Sequence, residues 1–181
     1  MDHTESLGSA EPLGSAGFPE ASVQRTVEWV DTDASGHQHN SAILRWVEAA
    51  EAELFRGLEL LDYFPSAPRV QQVINYTAKL WFGQRVTAKV KIHALGRTSL
   101  TMAFEVRGEA CGTHDGNGDR GAVASFGTVT TAHVPAGATT AQPWPEHFVR
   151  AVRGDQPVSG GEAAAVTTIK ERDSSRTYDE T

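Results

Sequence analysis

Asp31, Asp33, His37 and His39 crowd into "VDTDASGHQHNS" (Val30 to Ser41), a short link between a strand pattern and a helix pattern. Three chemistries suit such a loop. A carboxylate can attack a carbonyl carbon, or it can take a proton from a water that does so. The first N–H groups of the helix, which lack intrahelical partners, can hold the oxyanion that develops. His-x-His beside acids can also hold a metal through two nitrogens and an oxygen. That last signal is the weakest, because no third histidine accompanies the pair and Gly36 indicates a turn. No metal is expected. The bland alternative is a turn and capping cluster, since Asp, Ser, Gly and Asn are what a strand-to-helix loop selects.

The elements on either side must position these residues. "SVQRTVEWV" alternates through Val23, Val27 and Trp29 as a half-buried strand does. From Ser41 to Gly57, Ile43, Val47, Ala50 and Leu54 recur at helical spacing with Trp46 beside them, so a largely apolar, central helix is predicted. Asn40 and Ser41 are its N-cap candidates and Gly57 its stop. Alternation then predicts strands over Val70 to Phe82, through "VTAKVKIHAL", through "SLTMAFEV" and through "AVASFGTVTTAHV". "LGRT" supplies a hairpin turn, and Gly127 marks a bulge or a close approach of backbones. Met102, Tyr76, Trp81 and Phe82 read as core or pocket lining. With one helix to cover it, the antiparallel sheet is expected to wrap around that helix.

Composition narrows the partners. A length of 181 residues fits one domain, and a net charge of -7 with no basic stripe argues against a nucleic-acid surface. No window is long and apolar enough to span a membrane, and the N-terminus lacks a basic-then-apolar leader, so a cytoplasmic protein is expected. Cys111 is the only cysteine, which excludes an internal disulfide and a multi-cysteine zinc site, and nothing around it activates a thiol. Residues 1–20, with a repeated LGSA, and residues 153–181 lack periodicity and read as mobile tails around a domain over 21–152.

The order β-α-β-β-β-β, with an acidic loop entering the helix, resembles the hotdog-fold thioesterases of the 4-hydroxybenzoyl-CoA type. In that family a D-x-D-x-x-G loop precedes the helix, often extended to G-H-x-N-N-x-x-Y-L-x-W-x-E. Asp31, Asp33, Gly36, His37, Asn40, Leu44, Trp46 and Glu48 stand in the corresponding places, while Ile43 replaces the aromatic residue and His39 the first asparagine. The resemblance implies an α+β hotdog fold, one long central helix wrapped by a curved antiparallel sheet. It implies hydrolysis of an acyl-CoA thioester to a carboxylic acid and free coenzyme A, with Asp33 as the catalytic carboxylate. Asp31 then shapes the loop, His37 holds Asp33 in place, and backbone N–H groups around Asn40 and Ser41 polarise the carbonyl. His39 is a candidate substrate contact. Glu48 is the reserve catalyst, because in a related type of these enzymes the carboxylate comes from the helix.

Cationic groups for the coenzyme A phosphates are sought among Arg85, Lys89, Lys91 and Arg97, with Arg97 and Lys89 favoured. Each has solvated surface charge as its simpler reading. No cofactor beyond coenzyme A as part of the substrate is expected. A homodimer, further paired into a homotetramer, is expected because one short sheet around one helix leaves edges and apolar surface exposed. Two alternatives share the fold: a thioesterase acting on acyl carrier protein, and a non-catalytic acyl-CoA-binding protein. A hotdog hydratase would carry G-D-x-N-P-x-H, which this chain lacks.

Overall fold

A computed structural model describes residues 17–110 and 122–154. Cys111, its glycine-rich loop, the LGSA repeat and nearly all of both tails lie outside the described residues.

Strand β1 (Glu20–Thr26) leads to helix α1 (Asn40–Gly57), followed by β2 (Arg69–Tyr76), β3 (Arg85–Leu95), β4 (Ser99–Gly108), β5 (Val123–Ala132) and a short helix α2 (Glu146–Arg153). The strands form one antiparallel sheet in the order β1-β3-β4-β5-β2. It is the curved sheet and buried helix of the hotdog fold, an α+β architecture. Strict alternation explains β4, where Leu100, Met102, Phe104 and Val106 are all buried on one face. On α1 the buried line is Ala42, Ile43, Trp46, Val47, Ala50, Leu54 and Phe55, set against β1, β3 and β4. Each large side chain so buried contributes about 1.5–3 kcal/mol of transfer free energy.

Four expectations are corrected. The first strand stops at Thr26, because the side chain of Asp31 accepts from the N–H of Glu28 and turns Trp29–Asp31 into a 3-10 turn, leaving Trp29 80% exposed. The strand from Val70 stops at Tyr76: the N–H groups of Thr77 and Ala78 both donate to the carbonyl of Ala124, which takes the chain off the ladder. Leu80 is still buried, but Phe82 lies past the ladder and is 61% exposed, so it is not core. Lys91, expected as a solvated surface cation, is buried. Finally, a second helix exists. Phe148, Ala151 and Val152 bury one face of α2, Gly154 ends it in the left-handed conformation, and Trp144 and Phe148 stack at 4.1 Å between ring centres. Among the described residues no helix is long and apolar enough to cross a membrane.

Candidate active site

The loop between β1 and α1 is a miniature hairpin. Thr32 bridges Gln38, the N–H of Asp33 donates to the carbonyl of His37 at 3.2 Å, and that of Gly36 donates to the carbonyl of Asp33 at 3.0 Å. The last turn needs a positive φ, which Gly36 supplies at +80°. Gln38 anchors the hairpin from beneath: buried, it donates its N–H to the carbonyl of Leu80 at 2.8 Å, and its side-chain oxygen accepts from the N–H of Leu80 at 2.5 Å.

Asp33 sits at the exposed tip. Its carboxylate accepts from the N–H of Ser35 at 2.8 Å and from the Ser35 hydroxyl, whose Oγ is 2.9 Å from Nε2 of His37. The Ser35 side chain and then its N–H hold the Asp33 carboxyl below the usual carboxylate range, with a smaller pull from His37. Asp33 is therefore an accessible, firmly ionised carboxylate in a fixed rotamer. His37 reaches it through Ser35 and meets the edge of Trp81 at 6.0 Å. Ser35 carries no distinctive signal in the sequence, although Asp-x-Ser is the spacing at which a carboxylate caps its own turn.

Asp31 has the structural part expected of it. Its buried carboxylate accepts from Glu28 and pairs with Arg45, and its carbonyl accepts from the N–H of His39 at 2.6 Å.

The helix start differs from expectation. Neither Asn40 nor Ser41 is the cap; Nδ1 of His39 accepts from the N–H of Ser41 at 3.1 Å and lies 2.8 Å from Oγ of the same residue. An imidazole Nδ1 hangs off Cβ through one carbon, as the carboxylate oxygen of an N-cap aspartate does, so it reaches the same N–H. Replacing His39 by Ala should cost about 1 kcal/mol, the usual worth of an N-cap, and urea unfolding would show it. A change within error would mean that the cap contributes nothing.

The cap also narrows which N–H groups are open at the head of α1. The N–H of Ser41 is taken by His39, and that of Ala42 donates to the His39 carbonyl at 2.9 Å. Of the first three helical N–H groups, only that of Asn40 has no internal acceptor among the described residues. The carbonyl of Asn40 accepts from the hydroxyl of Tyr76 at 3.2 Å, which ties edge strand β2 to this end of α1.

The remaining candidates are dispersed. Glu48 lies two turns down α1, 3.4 Å from Arg69, and Lys89 pairs with Glu20 at 2.7 Å. Arg97 occupies the turn after β3, whereas the Asp33 loop abuts Trp81 before β3 begins, so within one chain the two are roughly 35 Å apart along the strand. Arg85, at the near end, is exposed and has no ion pair among the described residues. Among those residues, too, no group of three or more His, Cys, Asp or Glu side chains is placed to hold a metal.

Residues 27–152 match the thioesterase-like superfamily. No curated protein matches significantly in sequence. Among solved structures, a thioesterase from Thermus thermophilus complexed with coenzyme A and zinc is 25% identical, with a TM-score of 0.62 over 79% of this chain and 100% of that one. A predicted thioesterase from Bacillus stearothermophilus is 24% identical, with a TM-score of 0.62 over 75% of this chain and 95% of that one. The 4-hydroxybenzoyl-CoA thioesterase of Pseudomonas sp. strain CBS-3 has the same fold at 16% identity, with a TM-score of 0.63 over 74% of this chain and 99% of that one. An acidic hairpin at the head of a central helix, a single antiparallel sheet around that helix and the family match agree: the chain belongs to the thioesterase-like superfamily.

Proposed function

We propose that the protein hydrolyses an acyl-CoA thioester to a carboxylic acid and free coenzyme A, with Asp33 as the reacting carboxylate and the backbone N–H of Asn40 as an oxyanion donor. The observations that carry this reading are an exposed, ionised Asp33, fixed by Ser35, and, on the same β1–α1 link, an N–H at the first turn of α1 that is open among the described residues. Membership of the thioesterase-like superfamily supports it, as does the coenzyme A bound to the Thermus relative.

Two routes balance. Asp33 attacks the thioester carbon, expels the coenzyme A thiolate and leaves an anhydride that water cleaves, freeing Asp33; or Asp33 takes a proton from a water that attacks the same carbon, and the tetrahedral adduct breaks its C–S bond to expel the thiolate, which takes up the proton. In both, negative charge grows on the carbonyl oxygen, where the Asn40 N–H and the helix N-terminus favour it. His37 acts as a positioning residue through Ser35. Arg85, at the loop's end of the sheet, is a cation for the coenzyme A phosphates.

A second copy completes the assembly. Among the described residues the outer edge of β2 is unpaired, and Val70, Val73 and Tyr76 are exposed along that strand, so two copies joined there would continue the sheet. That join would bring partner strands toward the α1 N-terminus, which Tyr76 already touches, and would let Lys89 and Arg97 serve a site in a neighbouring subunit.

Free-thiol release from a panel of aliphatic and aromatic acyl-CoAs tests the reading, and no turnover of any ester would contradict it. The pH dependence follows from the state of Asp33. The ionised form is active, and its pKa is lowered, so the rate should hold as pH falls and drop only below about pH 4, the ordinary aspartate value. Ser35→Ala removes the largest pull and should move that acidic limb upward. An acidic limb that stays put in the variant would contradict the role given to Ser35.

A further inference from the structure

The backbone at the head of α1 decides which nitrogen of His39 carries the proton. Nδ1 of His39 accepts from the N–H of Ser41 at 3.1 Å. A backbone N–H can only donate, so Nδ1 keeps a lone pair there and the ring proton sits on Nε2. The Ser41 hydroxyl, 2.8 Å from the same nitrogen, then donates to it as well. A proton on Nδ1 would set donor against donor, so the cap itself holds the ring as a neutral Nε2–H tautomer. That N–H lies on the far side of the ring from the cap. His39 is exposed, and its Nε2–H has no acceptor among the described residues.

Pairing within the hairpin sets this ring beside Asp33. Thr32 bridges Gln38; on one side of that rung the N–H of Asp33 donates to the carbonyl of His37, and on the other the N–H of His39 donates to the carbonyl of Asp31. Asp33 therefore stands opposite His37, and Asp31 opposite His39. Side chains alternate along each arm, which puts Asp31, Asp33, His37 and His39 on one face and Thr32 and the buried anchor Gln38 on the other. The Ser35 bridge from Asp33 to His37 fits that arrangement. Asp33 and His39 are diagonal neighbours, about 7–8 Å apart at the backbone, within reach of long side chains. His39 also lies within electrostatic reach of the Asp33 carboxylate.

The reaction proposed above builds negative charge on a carbonyl oxygen, and oxyanion sites ordinarily offer it two donors. Of the first three N–H groups of α1 only that of Asn40 is open among the described residues. A neutral imidazole N–H can polarise a carbonyl. Carrying no charge, it does so without forming an ion pair with Asp33.

Resting on the acyl-CoA reading above, we propose that His39 is a catalytic residue: its Nε2–H, held as a neutral donor by the helix cap, bonds the thioester carbonyl oxygen alongside the N–H of Asn40. No proton is transferred; the bond strengthens as charge grows on the oxygen.

The test uses the full chain and two variants. His39→Ser keeps an oxygen that can cap Ser41 and removes the distal N–H, so Tm should hold. His39→Nε2-methylhistidine keeps the imidazole and its Nδ1 and removes only the proton. The probes are ketone analogues of octanoyl-CoA and benzoyl-CoA, with a methylene in place of the sulfur and an isotope label at the carbonyl carbon, which cannot be hydrolysed. In the infrared the bound carbonyl should absorb at lower frequency in the wild type than in either variant. Nitrogen NMR of the free wild type should show His39 bare at Nδ1 and protonated at Nε2. In turnover of the matching thioesters, His39→Ser should lower kcat by about 10²-fold, the lower end for loss of an oxyanion donor, with KM little changed. A proton on Nδ1, a carbonyl frequency unmoved in both variants, or no binding of either analogue would each overturn the proposal. A frequency shift without turnover would sink the hydrolytic reading and leave the donor standing, whereas turnover lost in Asp33→Asn but intact in His39→Ser would do the reverse.

Discussion

Asp33→Asn is expected to lower kcat for the best acyl-CoA substrate by about 10²–10⁴-fold, the contribution of a positioned acid-base or nucleophilic group. The change is nearly isosteric and Asp33 is exposed at a loop tip, so the fold should survive it and circular dichroism should be unchanged. The asparagine oxygen can still accept from the N–H of Ser35, which preserves the hairpin. What is lost is the negative charge, and with it both the nucleophile and the base. Under the proposed function KM should move much less than kcat, because the carboxylate would act on the reacting carbon while the coenzyme A moiety would be held elsewhere. A variant whose loss lies in KM with kcat intact would show that Asp33 binds substrate and does no chemistry.

Gly127→Ala should be the most damaging small substitution for stability. Gly127 faces Ile74 where β5 pairs with β2, and a Cβ there would lie 1.8 Å from the carbonyl oxygen of Val73 and 3.1 Å from the Phe104 ring. The first of these contacts is with backbone, which can yield only by opening the ladder. A loss of about 3 kcal/mol is expected, at the upper end for overpacking, which lowers Tm by roughly 6–12 °C for a chain of this size. Gly57→Ala is the control: nothing lies within 4 Å of its added Cβ, and alanine is the better helix former, so Tm should hold or rise. Equal effects of the two substitutions on Tm would contradict the close approach at β5 and β2.

Much of the fold is written in periodicity. Ile43, Val47, Ala50 and Leu54 mark α1 because an apolar stripe at that spacing has no other use, and β4 is legible because its alternation is unbroken. The end of β2 is not legible: Ala78 and Leu80 continue the alternation after the backbone has left the ladder, and only the shared acceptor at Ala124 marks the exit. Helix α2 left a signal in Trp144, Phe148, Ala151 and Val152, hidden by its brevity and by the prolines before it.

The site divides the same way. Asp33 and His37 stand out by type and spacing, but the link between them is the hydroxyl of Ser35, a residue that looks like any other turn serine. Asn40 and Ser41 are better caps by propensity, yet the chain places His39 at the position whose φ and ψ are extended, and geometry overrides preference. Arg97 stands out in the sequence because turns sit at pocket mouths; which end of the hairpin faces the loop depends on strand pairing, which local sequence does not encode.

Two carboxylates compete for the reaction, Asp33 on the loop and Glu48 on the helix, and the proposed function places it on the loop. The most direct measurement is kcat/KM for the best acyl-CoA ester with Asp33→Asn and Glu48→Gln compared side by side with the wild type. The loop assignment predicts a loss of orders of magnitude for Asp33→Asn and a change of no more than about threefold for Glu48→Gln, whose exposed carboxylate lies 3.4 Å from the partly buried Arg69. Full activity in Asp33→Asn with collapse in Glu48→Gln would contradict it and move the chemistry onto α1.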